Sequence, residues 1–200
     1  MSGDIRISAE ELTEFSRAIL AAAGCGPESA QSWADMLVWA NLRGADSHGV
    51  LRLPRYLEYI EEGTVVPNAE MRVEKKSGAL VVLDAARTPG SVGMNRAMDE
   101  AIAVAREQHV GWCSARNVTH SGAIGYYAQR AAEAGMAGIV MVASMPFMAY
   151  HGARANGMST NPIAIAVPGG ATGPMVLDMS TSTVANGKIM AARDAGESIP

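Results

Sequence analysis

The chain has 200 residues, of which 48% are hydrophobic, 18% charged and 5% aromatic. A chain of this size buries roughly 70% of the surface its unfolded form exposes, so it has room for a real core, as one large domain or two small ones; the apolar fraction excludes intrinsic disorder. With 16 Lys and Arg against 20 Asp and Glu the formal net charge is -4, and a mildly acidic chain with no basic block is a poor match for nucleic acid or an anionic membrane.

Residues 1–6 carry no apolar signal-peptide core. A capping box, Ser8 with Glu11, starts the first expected helix, with Leu12, Phe15, Ser16 and Ile19 on its apolar face and Gly24 as its stop. Cys25 follows; its only partner in kind is Cys113, with no C-x-x-C and no Cys/His cluster, which argues against zinc. Both cysteines read as buried small apolar residues of a reducing compartment. Pro27 opens a second helix with Trp33, Leu37 and Ala40 on one face, ended by Gly44. A third helix ends near Glu62; Pro54 places the start of its regular part at that proline.

The pattern changes at about residue 70. Residues 71–76 alternate, Ser77-Gly78 is a turn signal and residues 80–83 are strand-like, which together read as a hairpin. An Ala-rich helix over 90–108, a strand over 110–115, a polar turn over 116–120, a helix over 123–134 and a buried strand over 137–143 follow. Residues 144–161 read as a long irregular stretch, often a mark of function. Strands over 163–167 and 175–177 complete the series. The longest apolar runs fall far short of the roughly 20 residues of a membrane span, so the expectation is a soluble, cytoplasmic protein. The opening hairpin breaks a regular β-α-β order, and the expected architecture is α/β, a helical N-terminal segment followed by a mixed sheet.

Four polar patches carry the candidate chemistry. The densest, residues 43–52, packs Asp46, Ser47, His48 and Arg52 together. If it is helical, His48 and Arg52 stand at i and i+4 on one face. Histidine exchanges protons near neutral pH, and the planar fork of arginine matches a carboxylate in two hydrogen bonds. This pairing suits an acid with a reactive carbonyl at C2. The same residues also fit a helix N-terminus capped by Asp46 or Ser47, with His48 and Arg52 solvated. The second patch, residues 117–125, is a glycine-bearing turn entering a helix, where free backbone N–H groups bind phosphate; it also fits an ordinary strand-to-helix connection. The third, Ser159-Thr-Asn-Pro162, precedes a strand, and the fourth, Asp178-Met-Ser-Thr-Ser182, follows one. Both sit where ligands are contacted, and both also fit turn and cap chemistry. No G-x-G-x-x-G, P-loop or G-x-S-x-G is present.

Taken in order, these patches resemble the malate/L-lactate dehydrogenase family of NAD(P)-dependent 2-oxo-acid and cyclic-imine reductases. The matching text is Arg43-Gly-(x)2-Ser-His-Gly-Val-(x)-Arg-(x)-Pro-(x)-Tyr56, Asn117-(x)2-His120 with Gly122, Thr160-Asn-Pro-Ile-Ala164, and Asp178-Met-Ser-Thr-Ser-(x)2-Ala-(x)-Gly-Lys-Ile189. The resemblance implies a helical domain over 1–69 carrying the His/Arg motif. It also implies a non-Rossmann nicotinamide-binding α/β domain over 70–200, incomplete at its C-terminus.

The resemblance further implies His48 as proton donor with Ser47 as its polar partner, Arg52 on the substrate carboxylate, and Thr160 against substrate. The turn of His120, Ser121, Gly122, Ala123, Ile124 and Gly125 would meet phosphates or nicotinamide, and Asp178, Met179 and Ser180 would line the cofactor, with Ser144 beside them. The acid/base role stays open between His48 and His120. NAD or NADP is the implied cofactor, no metal is implied, and a homodimer acting on a small carboxylate substrate is the implied assembly. Members of the family are much longer than this chain, so a fragment of a longer protein is expected. The expected reaction is hydride transfer between NAD(P)H and a 2-oxo or cyclic 2-imino acid. Its rivals are a dehydrogenase working on a 2-hydroxy acid and a non-catalytic remnant kept for folding or assembly.

Overall fold

The computed structural model describes residues 6–183 and 186–198. The N-terminal residues 1–5 and Ala185 of the fourth motif lie outside the described residues. The chain folds as two compact units, Met1–Ala123 and Ile124–Pro200.

The first unit begins with α1 (Ala9–Ala22) and α2 (Pro27–Leu42), packed on each other. The capping box forms as expected, with Ser8 Oγ accepting from the Glu11 amide and the Glu11 carboxylate accepting from the Ser8 amide. The face of α1 differs from the expected one. Ser16 and Leu20 are buried, whereas Phe15 is 61% exposed. Ser16 tolerates burial because its hydroxyl donates to the Leu12 carbonyl. On α2, Trp33, Leu37 and Ala40 are all fully buried.

After α2 the chain makes two single 3-10 turns, Asp46–His48 and Val50–Arg52, and then α3 (Leu53–Glu61). The continuous helix considered for residues 46–52 does not form, because Gly49 is extended at φ -88 and ψ -154.

Strand β1 (Arg72–Ser77) pairs antiparallel with β2 (Leu80–Asp84) as a hairpin through Gly78, whose φ is +54. Helix α4 (Gly90–Gln108) then crosses over, and β3 (Trp112–Arg116) pairs parallel with β2. The sheet is therefore mixed, in the order β1-β2-β3. Val81, Leu83 and Ala85 are buried on it. Cys25 is buried, but Cys113 on β3 is only half-buried, short of the burial expected for it. Burial raises both thiols to about 11, which keeps them protonated.

The second unit opens with α5 (Gly125–Glu133) and β4 (Gly138–Met141). The stretch expected to be irregular contains a short antiparallel pair, β5 (Met148–Ala149) and β6 (Asn156–Met158). Strands β7 (Ile163–Val167) and β8 (Met175–Met179) complete an antiparallel sheet of order β4-β7-β8. One face of this sheet packs on α5, burying Val140, Ala164 and Ala166. The other is open, with Ile139 54%, Met141 55% and Met175 65% exposed. Helix α6 (Asn186–Ala195), which the sequence pattern did not announce, follows. No helix among the described residues is long and apolar enough to cross a membrane.

Close packing of α4 on β3 supplies a test of the first unit. A Cβ at Gly111 would lie 1.9 Å from the Ala101 carbonyl oxygen, a backbone atom that cannot rotate away. Gly111→Ala should therefore destabilise the chain by roughly 1–3 kcal/mol, the usual scale of overpacking, seen as a lower urea midpoint with an unchanged slope.

Candidate active site

The first site is built on the paired 3-10 turns. Asn41, one residue before the end of α2, holds them: its Nδ2 donates to Asp46 Oδ1 at 2.6 Å and its Oδ1 accepts from the Val50 amide at 2.9 Å. A Cβ on Gly49 would fall 2.2 Å from that Oδ1, so this clamp requires glycine there. Arg52 Nε donates to the Ser47 carbonyl at 2.7 Å, tying the second turn back onto the first. His48 and Arg52 are thus brought together without the helical spacing.

Arg52 is half-buried, and no carboxylate among the described residues pairs with it. A partly desolvated guanidinium that no carboxylate neutralises has the chemistry to bind an anion.

Beside it stand two imidazoles. His48 is half-buried, with Ser47 Oγ 3.0 Å from its Nδ1. His120, from the loop after β3, stacks on it, with ring centroids 5.9 Å apart and planes at 17°. The Tyr56 hydroxyl on α3 lies 2.8 Å from His120 Nδ1. Tyr56 is 1% exposed and packs on Trp33 at 4.7 Å. Backbone closeness fixes the His120 loop from behind: a Cβ at Gly90 would fall 2.1 Å from the His120 carbonyl oxygen, and Thr119 Oγ1 donates to the Thr88 carbonyl at 2.9 Å.

Burial, reinforced by the Arg52 guanidinium, pulls His48 down to about 4. Although His120 keeps an exposed edge, the protein packed around it, then Arg52 and His48, hold its ring below the ordinary imidazole range. Both rings are neutral near pH 7.

The second cluster lies at one end of the β4-β7-β8 sheet. The register Met141↔Ile163↔Met179 aligns the end of β4, the start of β7 and the end of β8. Ser144 and Ser159 hydrogen-bond at 2.5 Å, and so do Ser180 and Ser182. The Thr160 carbonyl accepts from the Thr181 amide at 3.0 Å and from its hydroxyl at 2.8 Å. Asp178 Oδ2 accepts from the Gly125 amide at 2.7 Å, at the start of α5. Desolvation raises the Asp178 carboxyl against the opposing pull of that amide, even though the side chain keeps contact with solvent.

Ser47, His48, Arg52 and His120 thus meet in the first unit, and Ser144, Thr160, Asp178, Met179 and Ser180 gather in the second. Of the turn between, Ser121 and Ala123 are buried in the first unit and Ile124 in the second. Gly122 has φ +67, and a Cβ there would meet Met36 Sδ at 2.4 Å, so close packing on α2 explains that glycine. Asn41 went unnoticed in the sequence, where it is one polar residue near a helix end. No cluster of metal-binding side chains exists among the described residues.

With this geometry in place, comparison with known proteins is informative. Residues 7–200 match the family model described as malate/L-lactate dehydrogenase. A malate dehydrogenase of Pyrococcus abyssi is 40% identical over 98% of this chain and 54% of its own length. The ureidoglycolate dehydrogenase (NAD(+)) of Escherichia coli O157:H7 is 36% identical over 98% of this chain and 56% of its own length. The solved structure of Δ1-piperideine-2-carboxylate reductase from Pseudomonas syringae superposes with a TM-score of 0.91 at 31% identity, covering 98% of this chain and 59% of that one. The chain belongs to the malate/L-lactate dehydrogenase family. It spans about half the length of the curated relatives it matches.

The depressed His48 sets a pH dependence of stability. Its folded pKa lies below the unfolded value of 6.5, so the folded chain binds fewer protons. The contribution is fully present above about 6.5 and is lost as pH falls through about 4. Urea midpoints at pH 7 and pH 4.5 should therefore fall further apart in the wild type than in His48→Gln. An equal acid loss in both would show that His48 is not held neutral.

Proposed function

We propose that this chain is the part of an NAD- or NADP-dependent oxidoreductase that holds a small 2-oxo, 2-hydroxy or cyclic 2-imino acid by its carboxylate and handles the proton at C2. The carrying observation is the half-buried Arg52, with no carboxylate partner among the described residues, placed beside two neutral, stacked imidazoles. One carboxylate group fits the two terminal nitrogens of the guanidinium, since Nε is already committed to the Ser47 carbonyl. The names of the relatives, which act on malate, ureidoglycolate and Δ1-piperideine-2-carboxylate, share that carboxylate.

On this reading residues 1–69 carry the substrate-holding motif and residues 70–200 belong to the nucleotide-binding part. The hydroxyl-rich end of the second sheet, which holds no cation among its clustered residues, suits the nicotinamide and ribose portion of a coenzyme. Hydroxyls of Ser144 and Ser180 would hold it, with Met179 offering an apolar edge. A phosphate at Gly125 is disfavoured, because the Asp178 carboxylate already accepts that amide and would repel it. When bound, the coenzyme supplies or accepts the hydride.

The protein's own residues do the rest. Arg52 orients C2 by fixing the carboxylate. His48, neutral and paired through Nδ1 with Ser47, takes the hydroxyl proton in the oxidative direction. In the reductive direction it gives that proton to the developing alkoxide or keeps an imine protonated. Neutral imidazoles are ready as bases. Burial is the larger cause of the depressed imidazoles, and a carboxylate on Arg52 would offset the guanidinium's smaller share, so substrate binding would raise their proton affinity in part. Thr160 remains a substrate contact drawn from the resemblance, and the homodimer and cytoplasmic setting belong to the same proposal.

Two substitutions in the full-length enzyme test the reading. Arg52→Lys keeps the charge and loses the fork, and should raise KM for the acid substantially while leaving coenzyme affinity unchanged. His48→Ala should lower kcat by roughly 10²–10⁴-fold and flatten the pH profile. An unchanged KM in the first removes Arg52 from the site, and an unchanged pH profile in the second removes His48 from the proton step.

A further inference from the structure

Both imidazoles are tethered at Nδ1, but the tethers differ. Ser47 is half-buried, so its hydroxyl reaches solvent and can turn to donate or accept. Tyr56 is 1% exposed, and the partner within reach of its hydroxyl is His120 Nδ1 at 2.8 Å. The indole N–H of the neighbouring Trp33 is a buried group on the side of the phenol oxygen, and as a donor only it offers the phenol no acceptor. A buried phenol that only accepted from His120 would leave its O–H without a hydrogen bond, which is costly for a buried donor. Its proton therefore points at the Nδ1 lone pair. That leaves the proton of His120 on Nε2, on the edge not tethered to Tyr56.

We propose that Tyr56 is a positioning residue that locks His120 as the Nε2–H tautomer, which makes His120 a fixed hydrogen-bond donor to the substrate oxygen at C2 and leaves the proton transfer to His48. This rests on the carboxylate-site reading for Arg52. Loading a second proton onto His120 would set an Nδ1–H against the O–H of a tyrosine that is itself buried and has no other acceptor to turn to, whereas the same change at His48 is accommodated by turning the Ser47 hydroxyl. The charged and titratable groups around His120 reinforce the difference: Arg52 and His48 from the 3-10 turns both disfavour its cation, and no carboxylate among the described residues hydrogen-bonds it. The neutral phenol persists throughout, because burial raises Tyr56 well above the ordinary phenol range. A neutral imidazole held this way polarises a carbonyl and steadies the oxyanion in reduction, and receives the hydroxyl oxygen in oxidation.

Long-range ¹H–¹⁵N correlation of the histidine rings in the chain tests this without substrate or turnover. The wild type should show His120 as the Nε2–H tautomer, and Tyr56→Phe should show a mixture of tautomers with His48 unchanged. If Tyr56→Phe fails to fold, the wild-type spectrum alone decides, since an Nδ1–H form or an unlocked mixture there overturns the proposal. In the full-length enzyme His120→Ala should lose about 10²–10³-fold in kcat, the scale of one oxyanion donor. His120→Gln, which keeps an N–H donor, should recover part of that loss, while His48→Gln should recover none. Recovery by His48→Gln and not by His120→Gln would reverse the two roles. Loss of the Arg52 effect on KM with the tautomer intact would instead count against the carboxylate site.

Discussion

A single carboxamide organises the candidate site. Asn41 reaches from α2 to both 3-10 turns, donating to Asp46 and accepting from Val50. Each such bond contributes only about 0.5–1.5 kcal/mol net, but together they fix a segment too short and too glycine-bearing to hold its own shape. The requirement for glycine at position 49 follows from the closeness of that side chain. With the turns fixed, Arg52 closes onto the Ser47 carbonyl and His48 faces the ring of His120.

The electrostatic logic then runs in one direction. The site concentrates a guanidinium and two imidazoles, and its one carboxylate, Asp46, is held by Asn41; among the described residues no carboxylate pairs with Arg52 or hydrogen-bonds either ring. Burial first, and then the Arg52 guanidinium, keep the imidazoles neutral. On the proposed reading an acid substrate would bring a negative charge to Arg52, which would couple its binding to the proton affinity of the imidazoles.

Much of the fold was legible in the sequence because local signals coincide there. Helix α4 begins after Pro89 and ends at His109, whose left-handed φ of +66 breaks it, and its expected and observed bounds agree. The hairpin was written in the alternation of β1 and in Gly78. Phe15 misled, because apolar periodicity marks a face without saying that the neighbouring helix is wide enough to cover it. That the strands form two three-stranded sheets was not legible, since a strand's pattern shows which face is buried and not which strand lies beside it. In the site, Ser47, His48 and Arg52 announced themselves by proximity in sequence. The approach of His120 did not, and entered only through family resemblance. Tyr56 stood in the same motif without a visible role, because its bond to His120 spans 64 positions and exists only after folding.

The central claim is that Arg52 holds the carboxylate whose charge controls the two imidazoles. It is tested most directly by titrating the His48 ring resonances with pH, with and without a saturating small 2-hydroxy acid such as malate. The account predicts that the acid moves the His48 midpoint upward from about 4, and that Arg52→Gln abolishes the movement. A midpoint that stays in place when the acid binds, or that moves equally in the Arg52 variant, would contradict it.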